Sequence, residues 1–267
     1  MLRFVVLLLL IASPGLAWAG YAGHKPTPGE VRELLRSVCS SGVGTGACTP
    51  CPAFTRATAG KSLLLENVVY GKFTHAHQTD ALLGFSGCEA PVSNYGGSVL
   101  LKWQGGDRWT FLKYFMGYQV GDCLNYPARD GRALLLCREV NTGSASLVLN
   151  DFSGEDRFVQ ALFYAEDSRA TCSPIGSVQK LLEWTQTTAR LGGYPGLRVT
   201  VASAGYQRLH AKADDPCTGT LALTESRTYT LKYTFDGRRF TPTDATRKLF
   251  GPLLKDNPDM FYEGGNG

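Results

Sequence analysis

Short apolar runs separated by turns occupy most of the chain, and this pattern predicts β-strands. The segments SLLLENVVYGKF, DALLGF, GGSVLLKW and RWTFLKYF are apolar or alternating runs between turns that contain Gly or Asp. The clearest case is RTYTLKYTFDGRRFTP, in which Tyr229, Leu231 and Tyr233 share one face of a strand. Asp236-Gly237 then turns the chain, and Phe240 begins the return strand of a half-buried hairpin.

One segment, residues 26–38 (PTPGEVRELLRSV), has the pattern of a helix instead. Thr27 stands at the N-cap, Pro28 at the first helical position and Glu30 at the third, which together form a capping box. The apolar residues that follow at helical spacing form one stripe. They are Val31, Leu34, Leu35 and Val38.

The strand pattern also recurs with a period of about 50 residues, which is typical of propeller blades with about four strands each. DALLGF and its following hairpin resemble DGRALLLC and its following hairpin, so Ala81-Leu82-Leu83 aligns with Ala133-Leu134-Leu135. The third strands align as well, Ser98–Leu101 with Ser146–Leu149. A looser third copy combines GLRVTVASA with the hairpin around Asp236-Gly237.

The segments YGKFTHAHQTDALLGF and YPARDGRALLLCRE resemble degenerate FG-GAP repeats, also called VCBS-like repeats, the blade units of integrin-α-type β-propellers. Phe73 occupies the aromatic position of the repeat, and Asp80 and Asp130 precede its short apolar strand. The resemblance covers residues 65–165 and, more loosely, 190–245, and it extends to exported bacterial proteins of no assigned activity. It implies an all-β, mainly antiparallel, propeller-like array of about three to five four-stranded blades, with a short N-terminal helix.

The first residues, MLRFVVLLLLIASPGLAWAG, have the pattern of a secretory signal peptide. Arg3 is followed by an apolar run and by the small-residue cleavage motif Ala17-Trp18-Ala19. We therefore expect cleavage near Ala19, a secreted or periplasmic location, and a mature chain without a membrane span. The expected organisation is a signal peptide, a helical Cys-containing segment, a repeat domain and a tail. These parts are residues 1–19, 20–60, 61–250 and 251–267.

Composition and charge exclude few classes of binding partner. The chain is 43% hydrophobic and 19% charged, as in globular proteins, and its net charge of +4 falls to +3 without Arg3. That mild charge does not favour a nucleic acid or an anionic membrane. DGRRF, residues 236–240, is expected to be a turn and not a basic patch.

All eight cysteines follow the signal sequence, and an even number in an exported chain predicts up to four disulfides. Proximity in sequence favours pairing Cys39 with Cys48 or Cys51, and Cys172 with Cys217. The pairing of the others is open. They are Cys88, Cys123, Cys137 and whichever N-terminal cysteine is left.

Two alternatives concern metals. His75 and His77 would lie on one face if they stood on a strand, and with Asp80 or Glu89 they could bind zinc and form a metal-dependent hydrolase site. The competing interpretation is that they are exposed loop histidines. Calcium is a second possibility at the repeat loops, but the first loop lacks the expected acidic residues, and in the second Asp130 alone remains in the core of the loop.

A thiol–disulfide site is a further alternative, because Cys48 and Cys51 form a C-x-x-C motif. The glycine-rich sequence before it and Pro52 after it favour structural disulfides instead. No G-x-S-x-G elbow is present. The leading hypothesis is an exported binding or structural module with no cofactor, whose partner is a protein or glycan of the cell envelope.

Overall fold

The computed structural model describes residues 23–39, 46–55, 62–88, 96–116, 121–141, 144–154, 158–166, 178–212, 215, 217–256 and 261–262. Two helices are present in these ranges, α1 (Pro28–Leu35) and α2 (Asp244–Asp256), and neither is long and apolar enough to cross a membrane. The strands are β1 (Gly23–His24), β2 (Ala47–Cys48), β3 (Leu63–Gly71), β4 (Asp80–Ser86), β5 (Gly97–Trp103), β6 (Trp109–Met116), β7 (Gly121–Pro127), β8 (Ala133–Asn141), β9 (Ser144–Asn150), β10 (Phe158–Glu166), β11 (Val178–Leu191), β12 (Tyr194–Leu209), β13 (Thr220–Phe235), β14 (Phe240–Pro242) and β15 (Phe261–Tyr262).

The strands form three antiparallel sheets in chain order. The first sheet contains β3 to β6, with β1 and β2 both paired to β3; the second contains β7 to β10, with β15 paired to β10; the third contains β11 to β14. Within each run of four strands, every strand pairs with the next in sequence. The prediction of a mainly antiparallel β protein is therefore confirmed. The described strands form three open sheets, and closure into a propeller stays a prediction.

Helix α1 begins as its sequence predicts. The Thr27 hydroxyl accepts the backbone N–H of Glu30 (3.3 Å), and the Glu30 carboxylate accepts the backbone N–H of Thr27 (2.8 Å). This capping box satisfies two N–H groups that have no partner within the helix. Leu34 and Leu35 are fully buried and pack against the first sheet.

Three apolar clusters hold the layers together. One joins α1 and the N-terminal segment to one face of the first sheet. The second joins the other face of that sheet to the second sheet, and includes Phe73, Phe115 and Phe152. The third joins the second sheet to the third sheet and to α2, and includes Tyr126, Trp184 and Phe250.

The layered order explains why the sequence repeats. Strand β4 is buried on both faces: Leu82 belongs to the cluster shared with the second sheet, whereas Ala81 and Leu83 pack toward α1. Strand β8 is buried in the same way, with Leu135 facing the first sheet and Leu134 facing the third. A strand buried on both faces needs a continuous apolar run, and the repeated Ala-Leu-Leu supplies it. The aligned copies thus lie on the second strands of two sheets.

Helix α2 is an element that the expected fold does not include. Its first turn is capped by Thr243, whose hydroxyl accepts the backbone N–H of Thr246 (3.3 Å), and Phe250 and Leu253 are buried in the core. The helix contains Gly251 and Pro252, residues that normally indicate a turn. Residues 251–256, which the expected organisation places in the C-terminal tail, form the last part of this helix.

Disulfides link segments of the N-terminal region and of the second sheet. Cys39 pairs with Cys48, one of the two partners that proximity favours. Cys51 pairs with Cys88 and so ties the N-terminal segment to the end of β4, while Cys123 and Cys137 link β7 to β8. Cys217 is also disulfide-bonded. Cys172 and the expected signal peptide lie outside the described residues.

Candidate functional site

The two histidines considered for a zinc site lie in the turn between β3 and β4, as the competing interpretation of exposed loop histidines expects. His75 and His77 are exposed and are not on a strand, so the geometry that would place both rings on one face is absent. Asp80 is fully buried and caps this loop, since its Oδ2 accepts the backbone N–H (2.7 Å) and the hydroxyl (2.9 Å) of Thr74. Burial raises the pKa of the Asp80 carboxyl above its ordinary value, although the hydrogen bonds from Thr74 oppose this.

No cluster of three or more His, Cys, Asp or Glu side chains that could hold a metal ion exists among the described residues. Glu89, the other acid considered for zinc, lies outside them. Asp130, considered for calcium, instead accepts hydrogen bonds from the Nε (2.7 Å) and the backbone N–H (3.1 Å) of Arg132. These hydrogen bonds lower the pKa of the Asp130 carboxyl.

The C-x-x-C motif does not form a redox pair. Cys48 is bonded to Cys39, and Cys51 is bonded to Cys88, so the two sulfurs belong to different disulfides. Thiol–disulfide exchange at a C-x-x-C motif requires that its two cysteines bond to each other in the oxidised state. Both motif cysteines therefore act here as structural links.

Arg132, in the β7–β8 turn, connects three segments of the chain. Its guanidinium makes a two-point contact with the Asp151 carboxylate, Nη1 to Oδ1 (2.5 Å) and Nη2 to Oδ2 (3.1 Å). Its Nη1 also donates to the carbonyl of Phe73 (3.3 Å), in the loop after β3. Burial would raise the pKa of the Asp151 carboxyl, but hydrogen bonds from Arg132 and Ser153 outweigh burial and lower it.

The β13–β14 turn docks onto the β7–β8 turn. Asp236 accepts the backbone N–H groups of Arg238 and Arg239, each at 2.8 Å, which closes the turn. Arg129 donates from Nε to the Asp236 carbonyl (2.7 Å) and from Nη2 to its carboxylate (3.2 Å). Gly237 has φ +90°, and a Cβ there would lie 2.5 Å from Cγ of Arg129, so a glycine is required for this close approach.

Two adjoining depressions lie where these turns meet. The cationic depression has a volume of about 520 Å³ and is lined by Ala128, Arg129, Asp130, Arg132, Leu134, Asp151, Val159, Gly237, Arg238 and Arg239. The apolar depression has a volume of about 600 Å³ and is lined by Pro127, Arg129, Tyr194, Pro195, Thr234, Phe235, Asp236 and Gly237. Arg129 and Gly237 line both, so the two depressions form one cleft between the second and third sheets. We call it the arginine cleft.

Positive charge exceeds negative charge in the cationic depression, where four arginines face two aspartates. The acids are already engaged by Arg132, Asp151 through its two-point contact and Asp130 through Nε. Arg238 is exposed, and its guanidinium makes no hydrogen bond or ion pair within the part of the chain that the structure describes. Arg239 is also exposed and donates to the carbonyl of Val159 (3.5 Å). The depression can therefore accept an anion.

The arginine cleft could not be predicted from the sequence, because its residues come from turns that are far apart in the chain. DGRRF is a turn, as expected, but it also forms a cationic site because Arg129 and Arg132 lie against it. A signal was present in the sequence: Asp130-Gly131-Arg132 and Asp236-Gly237-Arg238 are the same tripeptide in two hairpin turns. Nothing in the sequence alone indicates that these two turns meet.

Comparison with known proteins gives no identification. No protein-family model matches the sequence, and no curated protein or solved structure is significantly similar to it.

Proposed function

We propose that the protein is an exported, disulfide-stabilised binding module whose ligand site is the arginine cleft and whose ligand carries negative charge. The observation that carries this proposal is the exposed guanidinium of Arg238, which has no partner among the described residues and lies in a depression whose acidic groups are already bonded. Guanidinium groups bind carboxylate, sulfate and phosphate through paired N–H donors. We propose no catalysed reaction, because the residues that line the cleft explain the binding of an anion and do not indicate a bond of the ligand that would be broken.

The scaffold in this proposal is a propeller-like array of degenerate FG-GAP-like repeats. Three consecutive four-stranded meanders support it, together with the apolar clusters that join each sheet to the next. The aligned sequence copies lie on equivalent strands, β4 with β8 and β5 with β9. In such arrays, turns from neighbouring units gather along one rim, where ligand sites form between units. The arginine cleft has this position between two sheets.

Export is part of the proposal and rests on the signal-like first residues and on the disulfides. Disulfides form and persist in oxidising compartments such as the periplasm and the extracellular space. Ligands available there include acidic polysaccharides and the acidic surfaces of other envelope proteins. Both have the charge that the cleft accepts.

The test compares binding of three soluble polyanions, polyglutamate, oligogalacturonate and polyphosphate, with binding of neutral dextran. The double variant Arg238→Gln/Arg239→Gln removes two charges from the cleft. Its matched control, Arg32→Gln/Arg36→Gln, removes two exposed arginines from α1 and its C-cap, on the far side of the first sheet.

We expect at least one polyanion to bind the wild-type protein and the control, and to bind the cleft variant roughly thirtyfold more weakly, since two lost charged contacts are worth about 1 kcal/mol each. The proposal is wrong if no polyanion binds better than dextran, or if both double variants lose the same affinity.

A further inference from the structure

The apolar depression presents a large exposed ring beside the arginines. Tyr194 begins β12 directly after the tight turn Gly192-Gly193, and it is 67% exposed, more than any other large apolar or aromatic side chain in the described residues. Its hydroxyl makes no hydrogen bond within those residues. Pro195 and Phe235 continue the apolar wall next to it. An exposed aromatic ring in a concave site is typical of a contact surface.

We propose that the arginine cleft binds an acidic oligosaccharide, a chain of uronic acid units, with a sugar ring on Tyr194 and a carboxylate on Arg238. This inference rests on the proposed function and specifies its ligand. Arg129 lines both depressions, so a ligand that extends from Tyr194 to Arg238 passes along it. One polymer can therefore contact both the apolar and the cationic depression.

The chemistry of the apolar and the cationic depression favours a sugar acid as the ligand. The face of an aromatic ring carries partial negative charge. The C–H bonds on one face of a pyranose carry partial positive charge, so the two flat faces stack. The carboxylate of a uronic acid stands at the edge of its ring and suits the planar fork of a guanidinium.

An acidic peptide fits the cleft less well. Its carboxylates are carried on flexible side chains, and it has no flat apolar face to cover Tyr194 and Pro195. Inorganic phosphate would use the arginines alone. The apolar depression, about 600 Å³ in volume, is therefore the feature that favours a carbohydrate over other anions.

The aspartates of the cleft do not prevent the approach of such an anion. Asp236 is bonded to two backbone N–H groups and to Arg129, and these contacts neutralise much of its field. The pKa of the Asp236 carboxyl is lowered, most strongly by the backbone hydrogen bond from Arg239 and also by Arg238 and Arg129. Asp151 is held by Arg132 in the same manner. Arg238 then provides a guanidinium that makes no hydrogen bond or ion pair within the described residues.

The test measures affinity for oligogalacturonate, for its methyl ester, and for polyglutamate, by isothermal titration calorimetry at low and moderate salt. The methyl ester keeps the rings and removes the charge. Polyglutamate keeps the charge and removes the rings. The variants are Tyr194→Ala, which removes the ring, and Tyr194→Phe, which keeps it; neither should unfold the protein, because the side chain is mostly exposed.

We expect oligogalacturonate to bind best, and both the methyl ester and the Tyr194→Ala variant to show about tenfold weaker binding, the size of effect that one lost contact of about 1.4 kcal/mol produces. Tyr194→Phe should retain most of the affinity. If polyglutamate binds as well as oligogalacturonate and Tyr194→Ala changes nothing, the sugar proposal is wrong while the anion-binding function stands. If neither polymer binds, the sugar proposal is wrong, and the proposed function is wrong as well if polyphosphate also fails to bind.

Discussion

At the scale of single residues, the most constrained position in the arginine cleft is Gly237. Its backbone has φ +90°, and the space where a Cβ would stand is occupied by Arg129. The backbone N–H of Arg129 also donates to the Gly237 carbonyl (3.2 Å), so the two turns are held in contact from both sides. A side chain at this position would separate the turns that form the cleft.

Gly237→Ala should therefore lower both stability and binding. The positive φ alone costs about 1 kcal/mol for alanine, and crowding against Arg129 should add about 1 kcal/mol or more. Gly193→Ala is the matched control, because Gly193 has φ +86° but nothing lies within 4 Å of its would-be Cβ. The two variants are compared by their free energies of unfolding, measured in urea. Equal losses in the two variants would show that the contact with Arg129 does not constrain this turn.

At the scale of elements, the Glu30 carboxylate is one of the groups that attach α1 to the first sheet. Glu30 closes the capping box and also accepts hydrogen bonds from the hydroxyl of Tyr70 in β3 (3.2 Å) and from Nε2 of His24 in β1 (3.0 Å). Burial would raise the pKa of this carboxyl. The hydrogen bonds from Thr27, His24 and Tyr70 outweigh burial and lower it to about 2.

This lowered pKa predicts how stability depends on pH. The folded state binds the Glu30 proton less tightly than the unfolded state, so its contribution is present in full above pH 4.5 and is lost as the pH falls toward 2. Glu30→Gln should reduce stability at neutral pH by about 1–2 kcal/mol and flatten the pH profile between these values. Urea unfolding at a series of pH values measures both effects.

Glu183→Gln serves as the control for that pH profile, because the Glu183 side chain is exposed on β11 and makes no hydrogen bond within the described chain. It should leave the profile unchanged. If Glu30→Gln and Glu183→Gln give the same profile, then Glu30 does not fasten α1 in the way described.

Elements could be predicted from the sequence to the extent that local patterns determine them. The structure contains the predicted capping box of α1 and the predicted strands β3 to β6 and β13. Each of these depends on residues that are close together in the chain. Helix α2 was missed because Gly251-Pro252 resembles a turn, although Phe250 and Leu253 are buried and stabilise the helix through the core. Tertiary packing there outweighs local propensity.

At the scale of the whole molecule, the layers explain where the cleft lies. The second sheet is buried on both faces, against the first sheet and against the third. Its turns therefore reach the turns of both neighbours, as Arg132 does at Phe73 and Arg129 does at Asp236. The cleft is a consequence of how the sheets stack.

The candidate site could not be predicted from the sequence for the same reason. Its two main turns are separated by 107 residues between Arg129 and Asp236, and only the stacking of the sheets brings them together. The residues singled out first, His75, His77 and the Cys48–Cys51 motif, were conspicuous as local patterns. The structure places them in an exposed turn and in two separate disulfides.

The most direct test of the arginine cleft as the ligand site is to map binding by NMR. Backbone amide shifts of the oxidised protein would be followed while oligogalacturonate, polyglutamate and polyphosphate are added in separate titrations. We predict that at least one of them shifts amides at residues 129–132, 192–195 and 236–239 first and most strongly. Shifts centred on α1 or the first sheet, or no shifts with any of the three polymers, would contradict the assignment of the cleft as a binding site.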